Sequence, residues 1–498
     1  MPASRILKGL TLSLLVAVPL SVLPTFAAAP IKAGSACTKA GNTKTYQGKK
    51  FTCIKSGMKL VWNKGFPTKS ASPATSAASS SATESAPSPV ATLNFIESPK
   101  LRDAEECKLA DARKDGSFRL DDYQRSAGFP LQGAVLPTQG KIRFVTFFVD
   151  FSDAQGTDAD IKFFREQERI FVDWFEVASY GKSKVEITTS DIWFRAKKKS
   201  SDLVLPQNNY GSHPLIAQEL VELTGKSFDW RNIDAFMVHF PRVNSTNLRD
   251  AQLGRSVTLK FPHGEKQINY QFYGLGTNKM AELRGAKYPN YFAQLWVHEN
   301  LHDLGLTLHA PGNGFNTGIA QNEASYSLTL NAWDMFKLGW IENSQVFCGN
   351  STSSSVITRK LTPLEEKGAG DRIIVIPVSN FEALVVESRR PTGLSKSWPQ
   401  TMVGVFVYRV NTSLVTDRSS EFTSSKLDSG NNPMFPKWAF YLPPDQRNVD
   451  ATLPASKVDP DKFYQEWLIR EGESVTSDGI RIKLAKVEKV DWIQISKA

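Results

Sequence analysis

The chain has 498 residues, with 60 lysines and arginines against 50 aspartates and glutamates and a net charge of +10. That charge is local: residues 1–29 carry Arg5 and Lys8 without an acid, and residues 30–65 carry eight lysines without an acid, so residues 66–498 balance to zero. A neutral main body gives no electrostatic basis for a nucleic-acid substrate, and past residue 29 no apolar run approaches the roughly 18 residues of a membrane span.

In chain order, residues 1–29 join a short basic start to an apolar run and end on Ala27-Ala28-Ala29, the pattern of a secretory signal peptide cleaved after Ala29. Export implies an oxidising compartment, so the four cysteines are expected as two disulfides, Cys37–Cys53 and Cys107–Cys348. Residues 30–65 form a small basic module closed by the first of these. Its clustered lysines suit either attachment to an anionic cell-wall polymer or a solvated surface without a partner. Residues 66–95 are dominated by Ser, Ala, Thr and Pro and read as a flexible linker. The remaining length suggests two domains, 96–350 and 351–498.

Within 96–350, residues 141–150 read as a sheet-interior strand and 161–178 as a helix with Phe164, Phe171, Trp174, Phe175 and Ala178 on one face. Strands are expected at 185–190 and 233–240. The second contains His239, which on an apolar strand is read as a core residue rather than a ligand. Asn290 is placed as the N-cap of a helix that buries Phe292, Leu295, Trp296 and Leu301 and stops at Gly305. A further helix is expected around Leu330, Trp333, Phe336 and Leu338, ended by Gly339. Beyond residue 350 the pattern turns to short strands at 373–377, 383–387, 403–410 and 480–484.

The helix ending at Gly305 carries His298-Glu299-Asn300-Leu301-His302. Residues four apart share a helix face, so His298 and His302 present two imidazoles to one ion, with Glu299 beside them as a general base. This is the H-E-x-x-H arrangement of zinc hydrolases, and Zn2+ is the expected cofactor.

Several separated segments occur in the order found in one family: Phe148-Val-Asp-Phe-Ser-Asp153, Ala178-Ser-Tyr-Gly-Lys182, His298-Glu-Asn-Leu-His-Asp-Leu-Gly-Leu306, Asn331-Ala-Trp-Asp-Met-Phe-Lys-Leu-Gly-Trp340, Val386-Glu-Ser-Arg-Arg390 and Gly404-Val-Phe-Val-Tyr-Arg409. Over about residues 140–412 the chain resembles the secreted bacterial metalloproteases of the immune inhibitor A type. The resemblance implies an α+β protein, a zincin-like catalytic domain with its active-site helix at the floor of a cleft, followed by a β-rich, sandwich-like C-terminal domain. It also implies His298 and His302 as ligands and Glu299 as base. A catalytic zinc takes three protein ligands, and the third is left between His309, four residues past Gly305, and Glu323. Tyr326 is the candidate donor to the oxyanion. The expected function is a secreted zinc endopeptidase acting on protein and peptide substrates. The competing expectation is a non-catalytic cell-surface binding or adhesion protein on the same scaffold.

Overall fold

The computed structural model describes residues 32, 34–46, 49–56, 59–64, 66–67, 95–111, 127–203, 213–224, 228–242, 252–261, 264–273, 290–307, 317–321, 325–351, 355–413, 438–449 and 463–498. The expected signal peptide and nearly all of the expected linker lie outside these residues. The chain divides into two compact units, Met1–Ala91 and Thr92–Ala498.

The first unit is a small antiparallel sheet of β1 (Thr43–Tyr46), β2 (Lys49–Ser56), β3 (Lys59–Trp62) and β4 (Phe66–Pro67), with β2 paired to each of the others. Among the described residues its core is Phe51, Cys53 and Trp62 with Cys37, Tyr46 and Leu60 packed against them, little to hold a sheet of this size alone. The Cys37–Cys53 disulfide, with a Cα–Cα separation of 5.9 Å, closes it. All eight lysines of residues 30–65 are exposed.

The second unit opens with a mixed sheet flanked by helices: β5 (Gly140–Asp150), α1 (Asp158–Ala178), β6 (Ser183–Arg195), α2 (His213–Thr224), β7 (Ala235–His239), β8 (Gln252–Phe261) and β9 (Gly264–Tyr273). The sheet order is β6-β5-β7-β9-β8, parallel except for the β8–β9 hairpin. Side chains alternate along β5: Ile142, Phe144 and Phe148 pack toward α1, while Val145, Phe147 and Val149 pack on the other face with Ala217, Leu220 and Val221 of α2. Helix α1 begins three residues earlier than the spacing predicts because Thr157 and Asp160 form a reciprocal cap there.

Next come α3 (Tyr291–Asp303) and the short α4 (Ala332–Lys337), then β10 (Val346–Cys348), β11 (Ile357–Leu361), β12 (Ile373–Pro377), β13 (Glu382–Arg389), β14 (Gly404–Asn411), β15 (Ala439–Tyr441), α5 (Phe463–Trp467), β16 (Ser474–Ser477), β17 (Ile480–Val487) and β18 (Asp491–Lys497). These strands make two sheets, β10-β12-β13-β14-β15 and β11-β18-β17-β16. Leu384 and Val386 of β13 point into the core between them, and Ala383 and Val385 point the other way, into the core that holds α1, α3 and α4. That helix core therefore runs without a break across residue 350. The Cys107–Cys348 disulfide, Cα–Cα 5.7 Å, ties the segment before the mixed sheet to β10.

The expected α+β, zincin-like class is corrected here. Strand takes 36% of the described residues and helix 22%, so the protein is β-rich, and its helices cover sheets instead of forming a helical active-site domain. Part of the reason is the β8–β9 hairpin, whose strands are too polar to give an apolar run: Gln252, Arg255 and Ser256 on one, Lys266, Gln267 and Asn269 on the other. Among the described residues no helix is long and apolar enough to cross a membrane.

Candidate metal centre

Every residue of α3 is buried, including Gln294, His298, Glu299, Asn300, His302 and Asp303. Burying polar side chains in this number is costly unless each is matched by a partner or a use. Asn300 is matched within the helix, donating to the Trp296 carbonyl at 2.8 Å. The helix ends are matched by neighbours. Asn290 sits at the N-cap without a side-chain bond, and the amide of Ala293 donates instead to Gln167 Oε1 of α1 at 3.1 Å. At the other end, the Asp303 carbonyl accepts from the amides of Val135 (2.8 Å) and Leu136 (3.1 Å). Gly305 then turns the chain at φ +92, where an added Cβ would lie 2.8 Å from the Gln132 carbonyl oxygen.

The structure brings His298 and His302 together, with ring centroids 5.4 Å apart and planes at 88°. His298 Nδ1 lies 2.8 Å from the Ile319 carbonyl and His302 Nδ1 lies 3.1 Å from the Leu306 carbonyl. A carbonyl oxygen only accepts, so each Nδ1 carries the hydrogen, and in the neutral rings the lone pair is on Nε2. Metal-binding histidines are held in this way, by an outer hydrogen bond that fixes tautomer and ring orientation. The donor set thus fits a zinc ion through two Nε2 atoms, with the Glu299 carboxylate one residue from His298 on the same buried helix.

His309 and Glu323 both lie outside the described residues. Among the described residues no group of three His, Cys, Asp or Glu is placed to hold a metal. Tyr326 lines a groove of about 370 Å³ that also includes Trp174, Asn290, Gln294, Ser325 and Leu328. Gln294 is one helical turn before His298, which puts this groove against the N-terminal half of the helix that carries the motif.

His239 lies on the far side of α3 in an aromatic stack, its ring 4.5 Å from Phe164 and 4.9 Å from Trp296, with Nε2 3.0 Å from Glu168 Oε1. Burial pushes its pKa below the ordinary value, so the ring is neutral and Nε2–H donates to the carboxylate. Burial alone would raise Glu168, but the His239 hydrogen bond and the nearby Arg165 outweigh it and hold the carboxyl below its ordinary value.

The sequence reading did not find the partners of the two imidazoles or the polar cluster beside them. Arg389, buried to 1%, donates to Glu365 Oε1 (2.8 Å), Glu387 Oε1 (3.0 Å) and Ser327 Oγ (2.8 Å). Glu387 in turn accepts from the Ala332 amide at 2.7 Å and from the Tyr408 hydroxyl at 3.1 Å. A signal was present on β13: the alternation of Ala383 and Val385 toward the helices continues onto Glu387 and Arg389, so two charged residues occupy buried positions. No family model matches the chain, and no curated protein is significantly similar to it.

Proposed function

We propose that the chain is a secreted zinc-dependent endopeptidase that hydrolyses peptide bonds of extracellular proteins. The observation that carries this reading is the pair of buried imidazoles on one helix, each with Nδ1–H directed at a backbone carbonyl, a bond that fixes the tautomer with its lone pair on Nε2. The likeness of residues 140–412 to the immune inhibitor A metalloproteases points the same way. A zinc ion held there supplies a polarised carbonyl and an acidified water, the chemistry that amide hydrolysis at neutral pH requires.

The residues of the chain do the rest. His298 and His302 would hold the ion in the tautomer that their Nδ1–H bonds fix, with His309 or Glu323 as the third protein ligand. Glu299 accepts the proton of the attacking water on its carboxylate and returns it to the leaving nitrogen. Tyr326, in the groove beside Gln294, is assigned to donate its O–H to the oxygen that gains charge. Water is the nucleophile, so no covalent bond forms between chain and substrate.

Glu299→Ala tests this directly. The variant is expected to keep zinc at the wild-type stoichiometry and to lose hydrolysis of casein by about 10²- to 10⁴-fold. Hydrolysis at the wild-type rate would overturn the assignment.

Residues 30–65 support a second component of the function, retention on an anionic cell-wall polymer, because their eight lysines all face solvent and no acid within the segment offsets them. Deleting residues 30–65 is expected to weaken retention on anionic cell wall in a salt-dependent way while peptidase activity is unchanged; equal retention with and without the segment removes the idea. The same exposed lysines favour the other reading, a non-catalytic surface-binding protein. Zinc content separates the two: purified protein well below one zinc per chain supports binding alone.

A further inference from the structure

The two imidazoles are oriented by different parts of the molecule. His302 donates to Leu306, four residues on, within the turn that Gly305 makes at the end of the same helix. His298 donates to Ile319, 21 residues on. Ile319 lies in a tight turn, 317–321, closed by the Gln321 amide on the Gly318 carbonyl (3.0 Å) and by the Thr317 amide on Gln321 Oε1 (2.9 Å). The Thr317 hydroxyl contacts the same Gln321 oxygen. The turn is pressed close to its neighbour: a Cβ on Gly318 would lie 2.6 Å from the Thr329 carbonyl oxygen.

This turn is gripped by the C-terminal sheet. Tyr441 of β15 places its hydroxyl 2.8 Å from Thr317 Oγ1, and Arg389 of β13 donates from Nη2 to the Thr317 carbonyl at 3.3 Å. Neither partner has freedom to move. Arg389 is held by Glu365, Glu387 and Ser327 and lies 4.6 Å from the Trp398 ring centroid. Tyr441 is buried and packs 4.6 Å from the Phe406 ring. Buried charge of this kind is weak evidence for stability, since apolar residues of the same volume would serve as well; what it adds is one defined geometry. The geometry defined here ends on a single atom, the Ile319 carbonyl oxygen.

We propose that Tyr441 and Arg389 are positioning residues for His298: through the 317–321 turn, the C-terminal sheet sets the orientation of one imidazole of the metal centre. The inference rests on the zinc reading above. It makes the C-terminal strands part of the site rather than an appendage to it. It also predicts that the two histidines respond differently to damage at β13 and β15, since the bond to Leu306 that orients His302 is made at the end of its own helix.

Zinc dissociation constants measured by chelator competition test this without reference to activity. Tyr441→Phe removes one hydrogen bond to Thr317 and is expected to weaken zinc about tenfold, the scale of outer hydrogen-bond losses at metal sites. Thr317→Val removes that bond from its other end together with the hydroxyl's contact to Gln321, so its loss should be at least as large, and the double variant should be no weaker than Thr317→Val alone. Thr317→Val also serves if Tyr441→Phe does not fold. Tyr180→Phe is the control: its hydroxyl donates to the Leu364 carbonyl at 2.9 Å and accepts from Arg372, so its loss should lower the melting temperature and leave zinc affinity unchanged. Affinity within twofold of wild type in Tyr441→Phe, or in Thr317→Val where that variant stands in, overturns the inference while the zinc reading stands. Wild-type protein that binds no zinc, or a His298→Ala variant that binds it as tightly, overturns the zinc reading and this inference with it.

Discussion

The mixed sheet and the C-terminal five-stranded sheet flank the same helix and treat it differently. On the mixed-sheet side the contacts are mainly aromatic: Phe164 lies 5.7 Å from Phe292 and 6.2 Å from Trp296, and His239 stacks against both Phe164 and Trp296, with one backbone bond to Gln167 besides. On the C-terminal side they are directional and polar, running from Glu387 and Arg389 through Thr317 to Ile319 and His298. Aromatic packing is tolerant of small rotations, whereas a hydrogen bond to a carbonyl is not. One side decides where the helix lies, and the other decides how the His298 ring is turned. Stability and metal affinity should therefore separate under mutation.

The largest effect should come from the packing side. Trp296 is fully buried, and Trp296→Ala is expected to cost about 3–5 kcal/mol of folding stability, because a cavity of indole size cannot collapse between α1 and β7. Denaturant unfolding of the metal-free protein measures it. A loss below about 1 kcal/mol would mean that the aromatic side does not anchor the helix, and the contrast between the two faces would fail. Tyr441→Phe should show the opposite profile, a small change in unfolding midpoint with the weaker zinc binding described above.

The same contrast explains what could be read from the sequence. The juxtaposition of His298 and His302 on one helix was legible because helical geometry is a matter of spacing alone, and Gly305 was legible because a chain turn at positive φ favours glycine. The helix over Phe164, Phe171 and Trp174 showed for the same reason, as did the apolar strands 373–377 and 383–387. What did not show depends on pairings across the chain. The Ile319 carbonyl is a backbone atom and leaves no mark in composition. The β8–β9 hairpin shows little apolar alternation, so its residues gave no strand signal and the protein looked less β-rich than it is. Glu387 and Arg389 lie in one of the segments that carry the resemblance, and their burial follows from the alternation that Ala383 and Val385 begin, a pattern that reads as structure once the strand's two faces are assigned.

The smallest expected effect concerns pH and tests whether the aromatic side is inert. His239 has its pKa lowered in the folded protein by burial, while the unfolded chain takes up the proton near the ordinary value of 6.5. As pH falls below that value the unfolded state binds a proton that the folded state refuses, so stability declines and continues to decline until the folded pKa is passed. Glu168 is also lowered, but its contribution is present above its ordinary value of 4.5 and is lost only at more acid pH. Between pH 7 and 5 the slope therefore belongs to His239 and not to its partner. His239→Gln keeps an N–H donor for Glu168 and removes the titration, so its unfolding midpoint should fall less over this range than that of the wild type. Contributions from the rest of the chain are common to both proteins and cancel in the difference. Equal slopes would show that His239 accepts a proton in the folded state, and the stack behind the site helix would then be a pH-sensitive element instead of fixed packing.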